Sequence, residues 1–217
     1  MDIVYGLFGF FQKGGLFMYP ILLVFAVGLA IAFERWVQLG RVKNQNRKTW
    51  NIVQPMLSEG DYNKARSMVK KDKSTIARML DMGLERQGAV RRREDIEIAM
   101  EESLMEIIPQ LERRTHYIAL LSNIATLLGL LGTIMGLIEA FTAVANANPA
   151  EKADLLSASI SVAMNTTAFG LMAAIPLLLL HAKLTSTTGQ IIDSLEMASI
   201  KALNSFSSNT KRQFTES

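Results

Sequence analysis

Cysteine is absent from this chain of 217 residues, so neither a disulfide framework nor a thiolate metal site is open to it. Charge is scarce in particular places. Charged residues make up 20% of the chain and hydrophobic ones 49%, an ordinary balance for a soluble domain, but the apolar residues gather into three blocks with almost no charge inside them. A soluble helix alternates its charges with its apolar positions, whereas a chain that segregates them uses the bilayer as solvent. Catalytic signatures are missing as well. The stretch from about Trp50 to Arg93 holds no phosphate-binding glycine loop, nucleophile motif or metal-ligand cluster, and no acid, base and nucleophile set appears in any pocket-forming context. No enzymatic activity, metal, cofactor or nucleic-acid partner is therefore expected.

The first block runs from about Leu16 to Phe33, opens at Gly14-Gly15 and carries Pro20 in its first turns. Its length is near the lower limit for a span. Tyr19 and Trp36 sit near its ends, as aromatic anchors do. The second block runs from about Ile118 to Val144 and the third from about Leu155 to Leu180; each can cross a bilayer with some tilt. A cleaved signal would have its bases ahead of the first block. Here Lys13 alone precedes it, while Arg35, Arg41, Lys43, Arg47 and Lys48 follow, so the block is a permanent span.

Those bases also orient the chain. The stretch from Glu34 to His116 holds most of the lysines and arginines, and the tail adds Lys183, Lys201, Lys211 and Arg212. The connection from Ala145 to Asp154 has one base, Lys152. The positive-inside rule puts the N-terminus and that short turn outside, and the large loop and tail in the cytoplasm. The expected fold is an all-α polytopic membrane protein. It has a periplasmic segment over 1–15, spans over 16–36, 117–145 and 155–181, and a cytoplasmic helical loop over 37–116. A periplasmic turn covers 146–154, and a cytoplasmic helix and tail cover 182–217.

Local signals refine this outline. Asn148 can cap the third helix, with Pro149 at its first position and Glu151 three residues after the cap. No breaker follows Leu180 until Gly189, and apolar residues recur at Ile191, Ile192, Leu195 and Ile200, so this helix should continue well past the bilayer. The second helix should begin near Glu94 to Ile98 and kink at Pro109. From Trp50 to Arg93 the pattern predicts short amphipathic helices packed as a small bundle. One apolar set is Met56, Leu57, Ala65, Met68 and Val69; the other is Ile76, Met79, Leu80 and Leu84.

The second span has a face of small residues at Ser122, Thr126, Gly129, Thr133, Gly136 and Ala140. The third has a comparable face through Ser159, Ala163, Thr166, Gly170 and Ala173, with Thr167 beside it. Such faces pack tightly or line a narrow path, and small-residue seams are common between membrane helices. Asn165, Thr166 and Thr167 are polar groups in mid-span that need partners or water; a threonine can satisfy its own helix, an asparagine less easily. Glu139 is the only acid well inside an apolar block, either a functional carboxylate or one near enough to the outer surface to be hydrated. His116 and His181 fall at the cytoplasmic membrane edges, where interfacial anchoring suits them better than a metal.

Gly129-Leu-Leu-Gly-Thr133-Ile-Met-Gly136, followed by Ala140-Phe141, resembles the second-span signature of the MotA/TolQ/ExbB proton-channel family. Asn165-Thr-Thr-Ala-Phe-Gly170-Leu-Met-Ala-Ala-Ile-Pro176 resembles its third-span signature. Gly14-Gly15 before Met18-Tyr19-Pro20, and Glu34-Arg35 after the first span, fit the ExbB/TolQ branch. The resemblance implies a homopentameric ring in a bacterial inner membrane around two copies of a single-span ExbD- or TolR-like partner. An aspartate of that partner takes up and releases protons, driven by the proton motive force. A TonB-like protein that spans the periplasm is a further implied partner. Thr133 and Thr167 match the family's two pore-facing threonines, and Thr166, Asn165 and Glu139 join them as candidate ion-path residues. Thr126, Gly129, Gly136, Ala163, Gly170 and Ala173 form the accompanying seam. One position departs from the pattern. The ExbB/TolQ branch has a glutamate five residues before the second threonine, and this chain has Val162 there. Either the partner's aspartate with the threonines and water suffices, or the ion is sodium, held partly by Thr166 and Thr167. A ring that scaffolds without conducting is the alternative from a different class. A flagellar stator subunit is disfavoured, because MotA proteins have four spans.

Overall fold

The computed structural model describes residues 15–89 and 92–215. Six helices account for nearly all of them: α1 (Met18–Glu59), α2 (Tyr62–Val69), α3 (Thr75–Ala89), α4 (Arg93–Glu112), α5 (Thr115–Asn146) and α6 (Lys152–Thr215). No strand occurs among the described residues. Three helical stretches are long and apolar enough to cross a membrane, Met18–Glu59, Arg93–Ala145 and Lys152–Ser207, and each continues well beyond its apolar part. The chain divides into two compact units. Among the described residues, an apolar unit comprises those up to Glu34 together with Arg114–Lys183, and a charged unit comprises those between Arg35 and Arg113 and from Leu184 onward.

In the apolar unit, Gly15 turns the chain into α1 with φ at +74°, a conformation that strains any residue with a Cβ. The Met18 amide donates to the Gly15 carbonyl at 3.3 Å. Pro20 lies in the first turn, where its missing N–H would have had no helical partner. Gly14 lies outside the described residues. Ile21, Ala125, Ala173 and Ala174 form a buried cluster against which Val24, Phe25, Leu128 and Phe169 pack. Alanine at three of those positions brings the backbones close, and the Ser122 hydroxyl reaches across to the Ala174 carbonyl at 2.8 Å.

Two local expectations change, one in this unit and one where α4 of the charged unit ends. The signal at Asn148 and Pro149 makes a turn, closed by the Glu151 amide on the Asn148 carbonyl at 3.0 Å, and the helix starts only at Lys152. The helical break expected at Pro109 falls later. Pro109 is inside α4, which ends at Glu112, and Arg114 then adopts φ +67°, ψ −13°. Proline removes one ladder bond, but a left-handed residue ends the ladder outright. Arg114 is fastened by its guanidinium to Glu34, at 2.8 and 3.1 Å.

The charged unit begins with buried Arg35, whose guanidinium donates to the Leu111 carbonyl at the end of α4 and to Gln38 at 2.8 Å. A carbonyl left free at a helix end thus gains a charged donor. Short helices were expected from Trp50, but α1 runs unbroken to Glu59 through Pro55, and only α2 and α3 are short or separate there. Gly60, at φ +83°, ends α1, and the Asp61 amide returns to the Met56 carbonyl at 3.0 Å. The expected bundle is present. Leu57, Ala65 and Val69 are buried, as are Ile76, Met79, Leu80 and Leu84. Ile191 and Leu195 of α6 are buried too, whereas Ile200 is exposed.

A buried polar knot organises the start of α3. Asn46 Oδ1 accepts from the Thr75 hydroxyl at 2.9 Å and the Ile76 amide at 3.2 Å, and the Ser74 hydroxyl accepts from the Ala77 amide at 3.3 Å. The Thr49 hydroxyl donates to Asp72, which also accepts from the Ser74 amide at 2.9 Å. Partial burial pushes the Asp72 carboxyl up, but hydrogen bonds from Thr49, Ser74 and Lys73 outweigh it and hold it below 3.8. A carboxyl lowered on folding stabilises the fold above its unfolded value and loses that contribution as pH falls through its folded value. Removing the Thr49 donor in Thr49→Val should therefore lower the thermal midpoint at pH 7, and the deficit should narrow below about pH 4. Thermal scans of the two proteins at several pH values in detergent check this; a deficit independent of pH would refute the role given to Asp72.

Candidate functional site

The small-residue faces of α5 and α6 meet inside the apolar unit. A Cβ on Gly129 would lie 3.2 Å from the Gly170 Cα and 3.3 Å from the Thr167 Cα; one on Gly170 would lie 2.8 Å from the Ala125 carbonyl oxygen. At Gly136 it would meet the Ala163 side chain at 2.9 Å. The two backbones touch where only glycine leaves room. Ala140, Ala163 and Ala173 are buried on the same seam, while Thr126 is exposed and donates to its own helix at the Ser122 carbonyl, 3.2 Å away.

Thr133 and Thr167 face one another across this seam with their hydroxyls hydrogen-bonded together. The Thr167 hydroxyl also reaches the Gly129 carbonyl at 2.9 Å, and Thr133 reaches the carbonyls of Gly129 at 3.2 Å and Ala163 at 3.4 Å. Two hydroxyl protons thus serve an oxygen cluster that offers more acceptors than donors. In apolar surroundings such a cluster can pass a proton along its hydroxyls or contribute oxygens to a small hard cation. Both threonines are partly exposed, so the cluster is reachable.

The other candidates lie apart from this pair. Thr166 is buried; its methyl packs on Gly132 and its hydroxyl donates to the Val162 carbonyl at 3.0 Å. Asn165 is partly exposed, with no side-chain hydrogen bond among the described residues. Glu139 is exposed on α5 and has no ion pair among the described residues. Val162 is itself exposed at 36%, with its side chain beside Gly15. Gly132 was missed by the sequence reading, although its place three residues after Gly129 marks a second close approach. Its added Cβ would collide with Thr166 and come within 3.2 Å of the Phe17 side chain.

Comparison with known proteins matches residues 71–197 to the MotA/TolQ/ExbB proton channel family. Over 189 residues the chain is 31% identical to the biopolymer transport protein ExbB-like 1 of Synechocystis, covering 84% of this chain and 72% of that one. It is 26% identical over 203 residues to an ExbB homolog of Methanothermobacter thermautotrophicus, covering 91% and 71%. Over 87 residues it is 32% identical to the Tol-Pal system protein TolQ of Haemophilus influenzae, covering 40% and 38%. With its three apolar helices, the chain is a multi-pass inner-membrane protein that belongs to the MotA/TolQ/ExbB proton channel family, on the ExbB/TolQ side.

Proposed function

We propose that this protein is the channel-forming subunit of an ion-driven motor in the inner membrane. It would work with a single-span ExbD/TolR-like partner to energise outer-membrane transport or another envelope process. The observation that carries this reading is the Thr133–Thr167 hydroxyl pair, set on the seam where the two motif-bearing helices touch. The distribution of bases supports an N-terminus outside and a C-terminus in the cytoplasm, with spans over 16–36, 117–145 and 155–181. Five copies forming a ring around two copies of the partner follow from the family resemblance, and a TonB-like protein would carry the force onward. A sodium-driven form is a second reading, favoured by the oxygen cluster together with Val162 where a carboxylate would relay a proton.

The test is the native mass of the protein in detergent, alone and co-expressed with a neighbouring single-span membrane protein. A pentamer that takes up two partner copies is the expected result. A monomer or dimer that ignores the partner would overturn the motor reading. A pentamer that takes up the partner but passes neither protons nor sodium in proteoliposomes would be a scaffold.

A further inference from the structure

Apolar side chains exposed on the apolar unit have lipid to face, but those exposed on the charged unit do not. On α4, Ile98 is 61% exposed and Met105 is 73% exposed. They stand seven residues apart on one helical face, with Glu94 and Glu101 interleaved on it and Glu102 alongside. Ile98 and Glu102 also border a cavity of about 360 Å³ with Arg86, Asp95 and Ala99. Glu94, Glu101 and Glu102 form no ion pair among the described residues, whereas neighbouring Glu106 is held by Arg78 at 3.5 Å. An apolar strip rimmed by unpaired acids suits a basic amphipathic surface.

The same chain carries such a surface. Beyond Glu34, α1 buries Leu39, Asn46, Val53 and Leu57 on one side. Arg41, Lys48 and Ile52 lie on the other side at spacings of seven and four, all exposed, with Arg47 exposed beside them. No acid occurs between Arg35 and Ser58, and Arg41, Arg47 and Lys48 make no ion pair among the described residues. A base, a base and an apolar residue on one helix thus complement the alternating acids and apolar residues on the other.

We infer that the acidic, apolar face of α4 docks on the basic face of α1 in a second copy of this chain. This rests on the reading above that places the charged unit outside the bilayer. The two faces are different surfaces, so the contact is head-to-tail, and such contacts repeat until a ring closes. Charge pairs at the rim select the register and steer encounter, while Ile52, Ile98 and Met105 supply the apolar contact.

The natural chain has no cysteine, which permits a direct test. Two differently tagged copies are co-expressed, one with Lys48→Cys and the other with Glu101→Cys, and a flexible bis-maleimide is added to the membranes. A covalent dimer bearing both tags is expected, with none when either variant is expressed alone. Glu94→Lys with Glu101→Lys in both tagged copies sets bases against bases at every contact and should abolish their co-purification, and replacing one of them by a copy with Arg41→Glu and Lys48→Glu should restore it. Copies that co-purify without the mixed dimer would overturn this interface and leave the motor assembly standing. Copies that never co-purify would overturn both. A link from Glu101→Cys to a different protein in place of this chain would overturn the choice of occupant.

Discussion

Alanine at Gly170 will lower the thermal midpoint of the purified protein, whereas alanine at Gly189 will leave it unchanged or raise it. Both glycines lie inside α6, and intrinsic propensity favours alanine over glycine by about 1 kcal/mol in a helix interior. Propensity alone therefore predicts the same gain at both positions, and the neighbours decide otherwise. Around Gly189 an added Cβ meets nothing within 4 Å. At Gly170 it meets the Ala125 carbonyl oxygen at 2.8 Å, the Gly129 Cα at 3.0 Å and the Gly129 nitrogen at 3.3 Å. These are backbone atoms of α5, which cannot rotate aside as a side-chain tip can. Overpacking of this kind costs about 1–3 kcal/mol, more than the propensity gain. Gly129→Ala should act in the same direction more mildly, since its nearest neighbour is the Gly170 Cα at 3.2 Å. Thermal scans of the three variants in one detergent measure this. Equal midpoints for Gly170→Ala and Gly189→Ala would mean the helices do not approach so closely.

The three spans were legible because lipid demands long uncharged blocks, and no tertiary detail is needed to see them. The seams were legible for a similar reason: residues three and four apart share a face whatever that face touches. Harder to read was where helices stop. Pro109 suggests a break, but like Pro55 inside α1 it removes a single backbone bond, and the ladder on either side carries the helix on. The actual ends are set by Gly60 and Arg114, and a left-handed arginine has no composition signal. Spacing also could not separate packing from path. It placed Thr166 on the seam and Thr167 beside it. In the structure the adjacent side chains diverge: Thr166 packs on Gly132 and turns its hydroxyl back to Val162, while Thr167 meets Thr133. A turn of about 100° per residue separates the two, and only the facing helix determines which one reaches across. Glu34 and Arg35 illustrate the same limit. They could be matched to a family pattern, but their partners, Arg114 and the Leu111 carbonyl, are far away in sequence.

Thr167→Val and Thr133→Val will each lower ion flux through the complex by about tenfold or more, because an ion stage losing a hydrogen bond or ligand rises by at least ~1.4 kcal/mol. Valine keeps nearly the shape of threonine and removes only the hydroxyl, so the seam should still close. The Gly129 carbonyl loses a hydroxyl donor in either variant, and a net cost of about 1 kcal/mol in stability is expected. The hydroxyls bond to one another, so the double variant should be scarcely worse than either single one; groups acting as a unit fail together. Thr167→Ser restores the oxygen and should restore flux. Flux is read in proteoliposomes holding the protein with its single-span partner, under an imposed proton or sodium gradient. Thr166→Val then separates the ions. Its hydroxyl is turned to its own helix, so a proton path through Thr133 and Thr167 is indifferent to its loss, and unchanged proton flux is the expected outcome. Lost sodium dependence in Thr166→Val would favour the cation site instead. Undiminished flux in both Thr133→Val and Thr167→Val would remove the ion path from this seam and leave it as a packing surface.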